Sequence, residues 1–302
     1  MRVITYGASA PFMPQRENNM AAISLILATV GRTTELNRLF TSLAAQTWTD
    51  FEVIVVDQNA DDRLLAPVEV ARNLGLAVKH LKHHPPNLAA ARNAGIEASS
   101  GAWLGFPDDD CWYEPDVLER LADRLARPDA PQGVIIRWIE QGEPEVVAPA
   151  LSWDRSCRFR DVAVSSITLF IQRRLFDSIG GFDARLGVGQ WFGAGEEHDL
   201  VLRALRSGAA LAYEPSALVH HAVGPARPNA DRQARRAARS RARGTGALYA
   251  KHGLPFWVIA RGLAAPVIRP LLKGAFGADL AHGCAVMLGR LDGLLGWGRR
   301  HQ

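Results

Sequence analysis

Short apolar runs of strand length alternate with helix-spaced segments through the first 140 residues, and few folds accept that order. AISLILAT at 22–29, FEVIVVD at 51–57, AVKHL at 77–81, AWLGF at 102–106 and GVIIRWI at 133–139 read as strands. Helical spacing follows GRTTE, where Thr33 or Thr34 can cap a helix running to about Gln46. It recurs over Asn87–Ser99, and again from Glu114-Pro115 to about Ala126. The pattern implies an α/β protein with a mostly parallel, helix-covered sheet, in which ligands bind beyond the carboxyl ends of the strands. Asp57 and the triplet Asp108, Asp109, Asp110 lie at such ends. For Asp57 a helix cap or solvated turn is an equal alternative.

The triplet is the sharper signal. Three adjacent carboxylates repel unless positive charge sits among them, and the local sequence offers little. In extended geometry Asp108 and Asp110 point one way and Asp109 the other. Two hard oxygen donors on one side suit Mg²⁺ or Mn²⁺ carried by a nucleotide diphosphate, against a solvated acidic turn as the alternative. A second acidic knot, Glu196-Glu197-His198-Asp199, opens a helix expected to reach about Ser207. First-turn carboxylates favour the positive end of a helix dipole, and Asp199 can pair with Arg203 or Arg206 for stability alone. The preceding GVGQWFGAG reads as a mobile substrate flap, from which a carboxylate could act as general base.

The rest of the chain is less regular. SSITLFIQ at 165–172 reads as a strand, RRLFDSIGGF as a short helix ending at Gly180-Gly181, and LAYEPSALVHH as an extended segment. Three widely spaced cysteines, Cys111, Cys157 and Cys284, with no CxxC, argue against a disulfide framework or a zinc site and fit a reducing cytoplasm. The N-terminal stretch has no unbroken apolar core of signal-peptide length, and no run approaches the roughly 20 residues needed to span a bilayer. The formal charge of +4 hides an asymmetry: from Arg227 onward 14 Lys/Arg face 3 Asp/Glu, a net of +11 against −7 for the remainder. The tract at 227–246 lacks interleaved aromatics, which disfavours nucleic acid as a partner. Beyond it, tryptophans 257 and 297 stand among short apolar runs and arginines, a pattern for helices in an anionic membrane interface or packed on the preceding domain. On the membrane reading, removing the tail is expected to leave a more soluble catalytic unit.

The series GRTTELNRLFTSLAAQT, FEVIVVDQNA, NLAAARNAGIEASSG, WLGFPDDDCWYEPDVL, GGFD, GAGEEHDLVLRAL and YEPSALVHH resembles, in order and spacing, the family-2 glycosyltransferases, inverting enzymes of the GT-A fold. The resemblance runs from about Ala22 to Val223. It implies a catalytic domain over 21–226, preceded by a tail over 1–20 and followed by a basic, amphipathic helical extension over 227–302. It also implies a nucleotide-diphosphate sugar donor, with UDP or dTDP favoured, and a divalent cation. Thr29 and Arg32 match positions beside the nucleotide, Asp57 the carboxylate that reads its base, and Arg92 and Asn93 the pair approaching the nucleotide-sugar. Asp108 and Asp110 match the outer members of the DxD motif with ribose and metal roles, Asp108 reaching the metal too, and Asp109 belongs to the same donor-binding group. Glu197 falls at the general base, Glu196 is the glutamate preceding it, and His220 matches a C-terminal histidine that helps hold metal or diphosphate. Glutamate replaces the usual aspartate at 197, Leu88 stands where glycine is common, and ATVGR replaces a proline-containing turn.

The function expected on this basis is metal-dependent inverting sugar transfer to an acceptor hydroxyl on a glycan or lipid-linked glycan, in cell-surface polysaccharide or glycolipid synthesis. The expected setting is the cytoplasm or the inner face of the membrane. A nucleotidyltransferase would also use Asp108 and Asp110 with metal but has no need of Glu197. A non-enzymatic basic binding protein would leave the acidic half without a purpose.

Overall fold

The computed structural model describes residues 22–139, 151–158, 164–222 and 232–300. The tail over 1–20 and the expected boundary at 226/227 lie outside the described residues. The chain opens with β1 (Ile23–Thr29), α1 (Leu36–Ala44), β2 (Phe51–Asp57), α2 (Leu65–Asn73), β3 (Val78–Lys82), α3 (Leu88–Glu97) and β4 (Trp103–Gly105). It continues through β5 (Cys111–Tyr113), α4 (Val117–Leu125), β6 (Gly133–Ile139) and α5 (Trp153–Ser156). A 3₁₀ turn over Ser166–Thr168 leads into β7 (Leu169–Gln172), α6 (Arg173–Ile179), α7 (Glu196–Arg206) and β8 (Leu211–His221). Three helices close it: α8 (Arg232–Lys251), α9 (Phe256–Leu272) and α10 (Ala278–Gly296).

The strands form one sheet in the order β3-β2-β1-β4-β7-β6-β8-β5. The flank β3-β2-β1-β4 is parallel, whereas β7 is antiparallel to both β4 and β6, and β5 is antiparallel to β8. β1 and β2 are buried along their whole length because both faces are covered. Leu25, Leu27, Val53 and Val55 face the core under α1, α2 and α4. Ile26, Ala28, Ile54 and Val56 face the opposite core under α3, α6 and α7. Strand order reverses at β1, between β2 and β4, so Thr29, Asp57 and the aspartate triplet converge beyond one edge.

Several local expectations change. α1 begins after Glu35 with no side-chain cap, so neither Thr33 nor Thr34 caps it. Asn87, by contrast, caps α3 by accepting from the Ala90 N–H at 3.0 Å. The strand expected from 165 starts at Leu169, because Ser165 and Thr168 close a capping box around the 3₁₀ turn. α2 and β5 carry too few periodic residues to stand out in sequence; α2 buries only Val68 and Ala71.

The C-terminal helices pack on the sheet domain. A Cβ at Gly246 would overlap the Arg290 carbonyl, and one at Gly289 or Gly293 the carbonyls of Arg239 or Arg243, so α8 and α10 touch backbone to backbone. Arg239 and Arg243 of the basic tract meet Asp292 across this contact, at 2.8 and 3.7 Å. No helix among the described residues is long and apolar enough to cross a membrane.

Candidate active site

The three aspartates have separate partners. Asp109 turns inward and is buried, where it accepts from Thr29 Oγ1 at 2.6 Å and pairs with Arg32. Asp108 and Asp110 turn toward the cleft, where a carboxylate oxygen from each and a ring nitrogen of His221 all lie within 4.8 Å of one another. The triplet lies in the turn between β4 and β5, where the Asp108 carbonyl accepts from the Cys111 N–H at 3.3 Å, so that turn, with Thr29 and Arg32 drawing Asp109 inward, divides the three carboxylates rather than the strand alternation expected from sequence.

The histidine is His221, not His220. β5 runs antiparallel to β8 with Cys111 opposite His221 and Trp112 opposite His220. Neighbouring strand residues face opposite sides, so only one of the two can reach the aspartates. His221 Nε2 lies 3.1 Å from Asp110 Oδ1. His220 instead stacks on Trp112 at 5.2 Å and contacts Glu114 at 2.6 Å.

Arginines distant in sequence offset the crowded negative charge. Arg32, whose side chain is 43% exposed, reaches both Asp109 and Asp110, the latter at 2.5 Å. Arg92, buried to 1%, projects from α3 and lies 3.1 Å from Asp108 and 3.6 Å from both Glu196 and Glu197. Its Nε and Nη1 have no hydrogen-bond partner. Burial raises the Asp108 pKa although 34% of its side chain is accessible; Arg92 opposes the rise and Glu197 adds to it. Asp110 is held below the usual carboxylate value because His221 and Arg32 outweigh its burial.

α7 presents the two glutamates from Gly195, which adopts φ +104° ahead of the first turn. Glu196 is enclosed against Gly187, and burial together with Glu197 pushes its carboxyl up to about 7. Glu197 is more open, with 16% of its side chain accessible. Asp199 is fully buried between Arg203, Lys251 and His252 at 2.8, 2.8 and 3.0 Å, which removes it as a base.

The remaining expected residues divide. Asp57, at the end of β2, is fully buried; its Oδ1 accepts from Asn59, and its Oδ2 lies 3.1 Å from His80 and 2.9 Å from Lys82. Asn93 is turned from the cleft: its amide donates to the Phe182 carbonyl and its oxygen accepts from the Phe182 N–H, pinning the GGFD turn. The glycine-rich loop is likewise tied down rather than a free flap. Leu186 and Phe192 are buried with Ala247, Leu248 and Trp297, and the Gly193 N–H donates to Ser240 in α8. Trp297 is therefore a core residue, not an interfacial one. Sequence reasoning missed Lys251 and His252, whose positions carry no local signal; Gly289 and Gly293 left one, the GRLDG spacing on α10.

Residues 24–171 match the model for glycosyl transferase family 2. The chain carries a glycosyl transferase family 2 domain. That domain includes β1, Asp57, Arg92 and the aspartate triplet, while α7 and β8 lie beyond the matched stretch. A PGL/p-HBAD biosynthesis glycosyltransferase of Mycobacterium bovis is 29% identical over 167 residues, covering 55% of this chain and 64% of that one, just under two thirds of its length. Among solved structures, S. aureus TarS 1–349 in complex with UDP-GlcNAc superimposes with a TM-score of 0.57 at 17% identity, covering 88% of this chain and 90% of that one. The mannosyltransferase PcManGT from Pyrobaculum calidifontis, in complex with GDP-Man and Mn²⁺, gives a TM-score of 0.62 at 15% identity over 92% and 88%. The family-2 glycosyltransferase domain thus has the GT-A fold expected from its motifs.

Proposed function

We propose that the protein is a metal-dependent inverting glycosyltransferase that moves a sugar from a UDP- or dTDP-sugar to an acceptor hydroxyl. The observation that carries this reading is Arg92, a buried guanidinium set between the aspartate triplet and the glutamates of α7, with Nη2 at 3.1 Å from Asp108 and Nη1 at 3.6 Å from Glu196 and Glu197. A donor's diphosphate and sugar would lie beside the partly exposed Asp108 and Glu197, which this guanidinium links. The nucleoside end lies toward Asp57 and Lys82, and the UDP-GlcNAc complex of the TarS neighbour supports that class of donor.

Asp108, Asp110 and His221 fit a divalent cation: two carboxylates and an imidazole converge within 4.8 Å, and Mn²⁺ accompanies the donor in PcManGT. When bound, Mg²⁺ or Mn²⁺ supplies positive charge against the leaving diphosphate. Arg92 adds a fixed charge beside the same carboxylates. Glu197, the more open glutamate, takes the proton as the acceptor oxygen bonds to the anomeric carbon and the bond to the diphosphate breaks. Glu196, closed in against Gly187, orients its neighbour and Arg92.

The acceptor on this reading is a glycan or lipid-linked glycan of the cell surface, and the setting is the cytoplasmic face of the membrane. Phe256, Trp257, Ile268, Leu272 and Phe276 are exposed around α9, a peripheral apolar surface beside the arginines of the extension. Titrating UDP, dTDP and GDP against the full chain, with and without Mn²⁺, tests the donor assignment. Mn²⁺-dependent binding of UDP or dTDP, followed by turnover of a matching sugar donor, is expected. Preference for GDP would overturn the pyrimidine assignment, and preference for triphosphates the transferase one.

A further inference from the structure

A cavity of about 530 Å³ lies between the first turn of α7 and the three C-terminal helices. Arg261 and Arg269 of α9 and Arg290 of α10 line it, together with His198 of α7 and Tyr249 of α8, and no Asp or Glu is among its lining residues. Arg261 and Arg269 stand eight residues apart, on one face of α9. The hydrogen bonds of Arg261 and Arg290 go to the carbonyls of Arg158 and Gly262, so those bonds leave both charges uncompensated. A smaller cavity of about 300 Å³ shares Arg269 and adds Lys273, His282 and one carboxylate, Asp279.

Three guanidinium groups around one half-open space repel each other, and an anion between them relieves that cost. Planar guanidinium forks match phosphate oxygens, and the volume suits a sugar-sized ligand. Its place in the fold gives the cavity a role. His198 follows Glu197 directly, so the cavity abuts the turn that carries the proposed base, on the side of the extension rather than of the donor. We propose that this cavity holds the phosphate group of a phosphate-bearing acceptor, gripped by Arg261, Arg269 and Arg290, with the acceptor hydroxyl delivered toward Glu197. The inference rests on the glycosyltransferase reading and adds to it the chemical class of the acceptor. A lipid phosphate and a soluble sugar phosphate share this chemistry.

Calorimetric titration of the full chain, with saturating UDP and Mn²⁺ filling the donor site, separates the cases. The probes are decyl phosphate below its micellar concentration, glucose 1-phosphate, and decyl glucoside as the neutral control. A phosphate ester binds, and Arg269→Ala weakens it about tenfold, as loss of one charge-assisted contact does. Ala265→Leu, which adds bulk to the cavity wall, weakens it as well. Both variants keep the wild-type melting temperature and UDP affinity. Tighter binding of decyl phosphate assigns a lipid acceptor, and tighter binding of glucose 1-phosphate a soluble one. The proposal is overturned if neither ester binds, if decyl glucoside binds equally well, or if both variants bind like the wild type. Failure of the glycosyltransferase reading looks different: UDP and GDP fail to bind while the phosphate ester still does, which leaves the anion site standing and removes its acceptor role.

Discussion

Nε2 of His252 lies 3.0 Å from Oδ1 of Asp199, a contact that spans 53 residues of sequence and is wholly buried. It joins the end of α8 to the helix that carries Glu196 and Glu197. Lys251 strengthens the join by reaching Asp199 at 2.8 Å and Asp183 at 2.7 Å. The extension is thereby part of the frame that holds the proposed base.

Asp199→Asn should lower stability by about 3 kcal/mol at pH 7, since it removes one side of a buried ion-pair cluster and leaves the cations there. Burial alone would raise the Asp199 pKa, but His252, Arg203 and Lys251 hold it below the ordinary value. A lowered folded value means the stabilisation is complete above the unfolded pKa, about 4, and is lost as pH falls through the folded one. Denaturant melts of variant and wild type should therefore differ at pH 7 and converge in acid.

A chain ending at Ala222 should be less soluble than the full protein. It would expose Leu186 and Phe192 and leave Asp199 without Lys251 and His252. Recovery in the soluble fraction and the melting temperature check this. The outcome is opposite to that expected from the charge pattern alone.

His221→Ala should weaken Mn²⁺ binding in the presence of UDP by about tenfold or more, whereas His220→Ala should leave it close to wild type. Paramagnetic titration of Mn²⁺ reads both variants. Equal losses would mean that the strand register around β5 and β8 does not select between the two.

Glu197→Gln should reduce turnover by a factor on the order of 10² to 10⁴ with donor affinity little changed, because the amide keeps the shape but cannot take the proton. Glu196→Gln should act on stability instead. A carboxyl raised to about 7 by burial and by Glu197 destabilises the fold as pH climbs past its unfolded value toward the folded one. The Glu196→Gln protein should melt higher than wild type at pH 8 and at the same temperature at pH 4. A larger turnover loss for Glu196→Gln than for Glu197→Gln would exchange their roles.

Gly244→Ala should slow transfer without changing UDP affinity. A Cβ at 244 would overlap the Ala194 carbonyl, one residue before Gly195 opens α7. Displacing that turn moves the glutamates but not Asp57 or the triplet. Steady-state kinetics with a fixed acceptor, beside a UDP titration, separates the two effects.

Sequence alone determined the elements whose signals are local. Continuous apolar runs of strand length marked β1 and β2, and helical spacing placed α3, α6 and α7, each within a few residues, while three adjacent aspartates after such a run marked the acidic turn itself. Those constraints act between near neighbours, so a linear reading captures them. Tertiary structure decided everything that depends on register or on charges meeting from afar. Antiparallel pairing of β5 with β8 chose His221 over His220, because a shift of one residue turns the other face inward. Arg32 and Arg92 stand out in the family motifs as positions beside the donor, but that they offset the triplet follows only from the packing that brings their elements to it. Asn93 went to the backbone of Phe182, since a buried amide is satisfied by whichever polar groups the packing brings within reach. The basic tract formed a helix with a small-residue face closed on α10, and Lys251 and His252 at its end were committed to Asp199. Charge composition records how many arginines the tract has, but only the packing of α8 determines which of its faces is free to meet a partner.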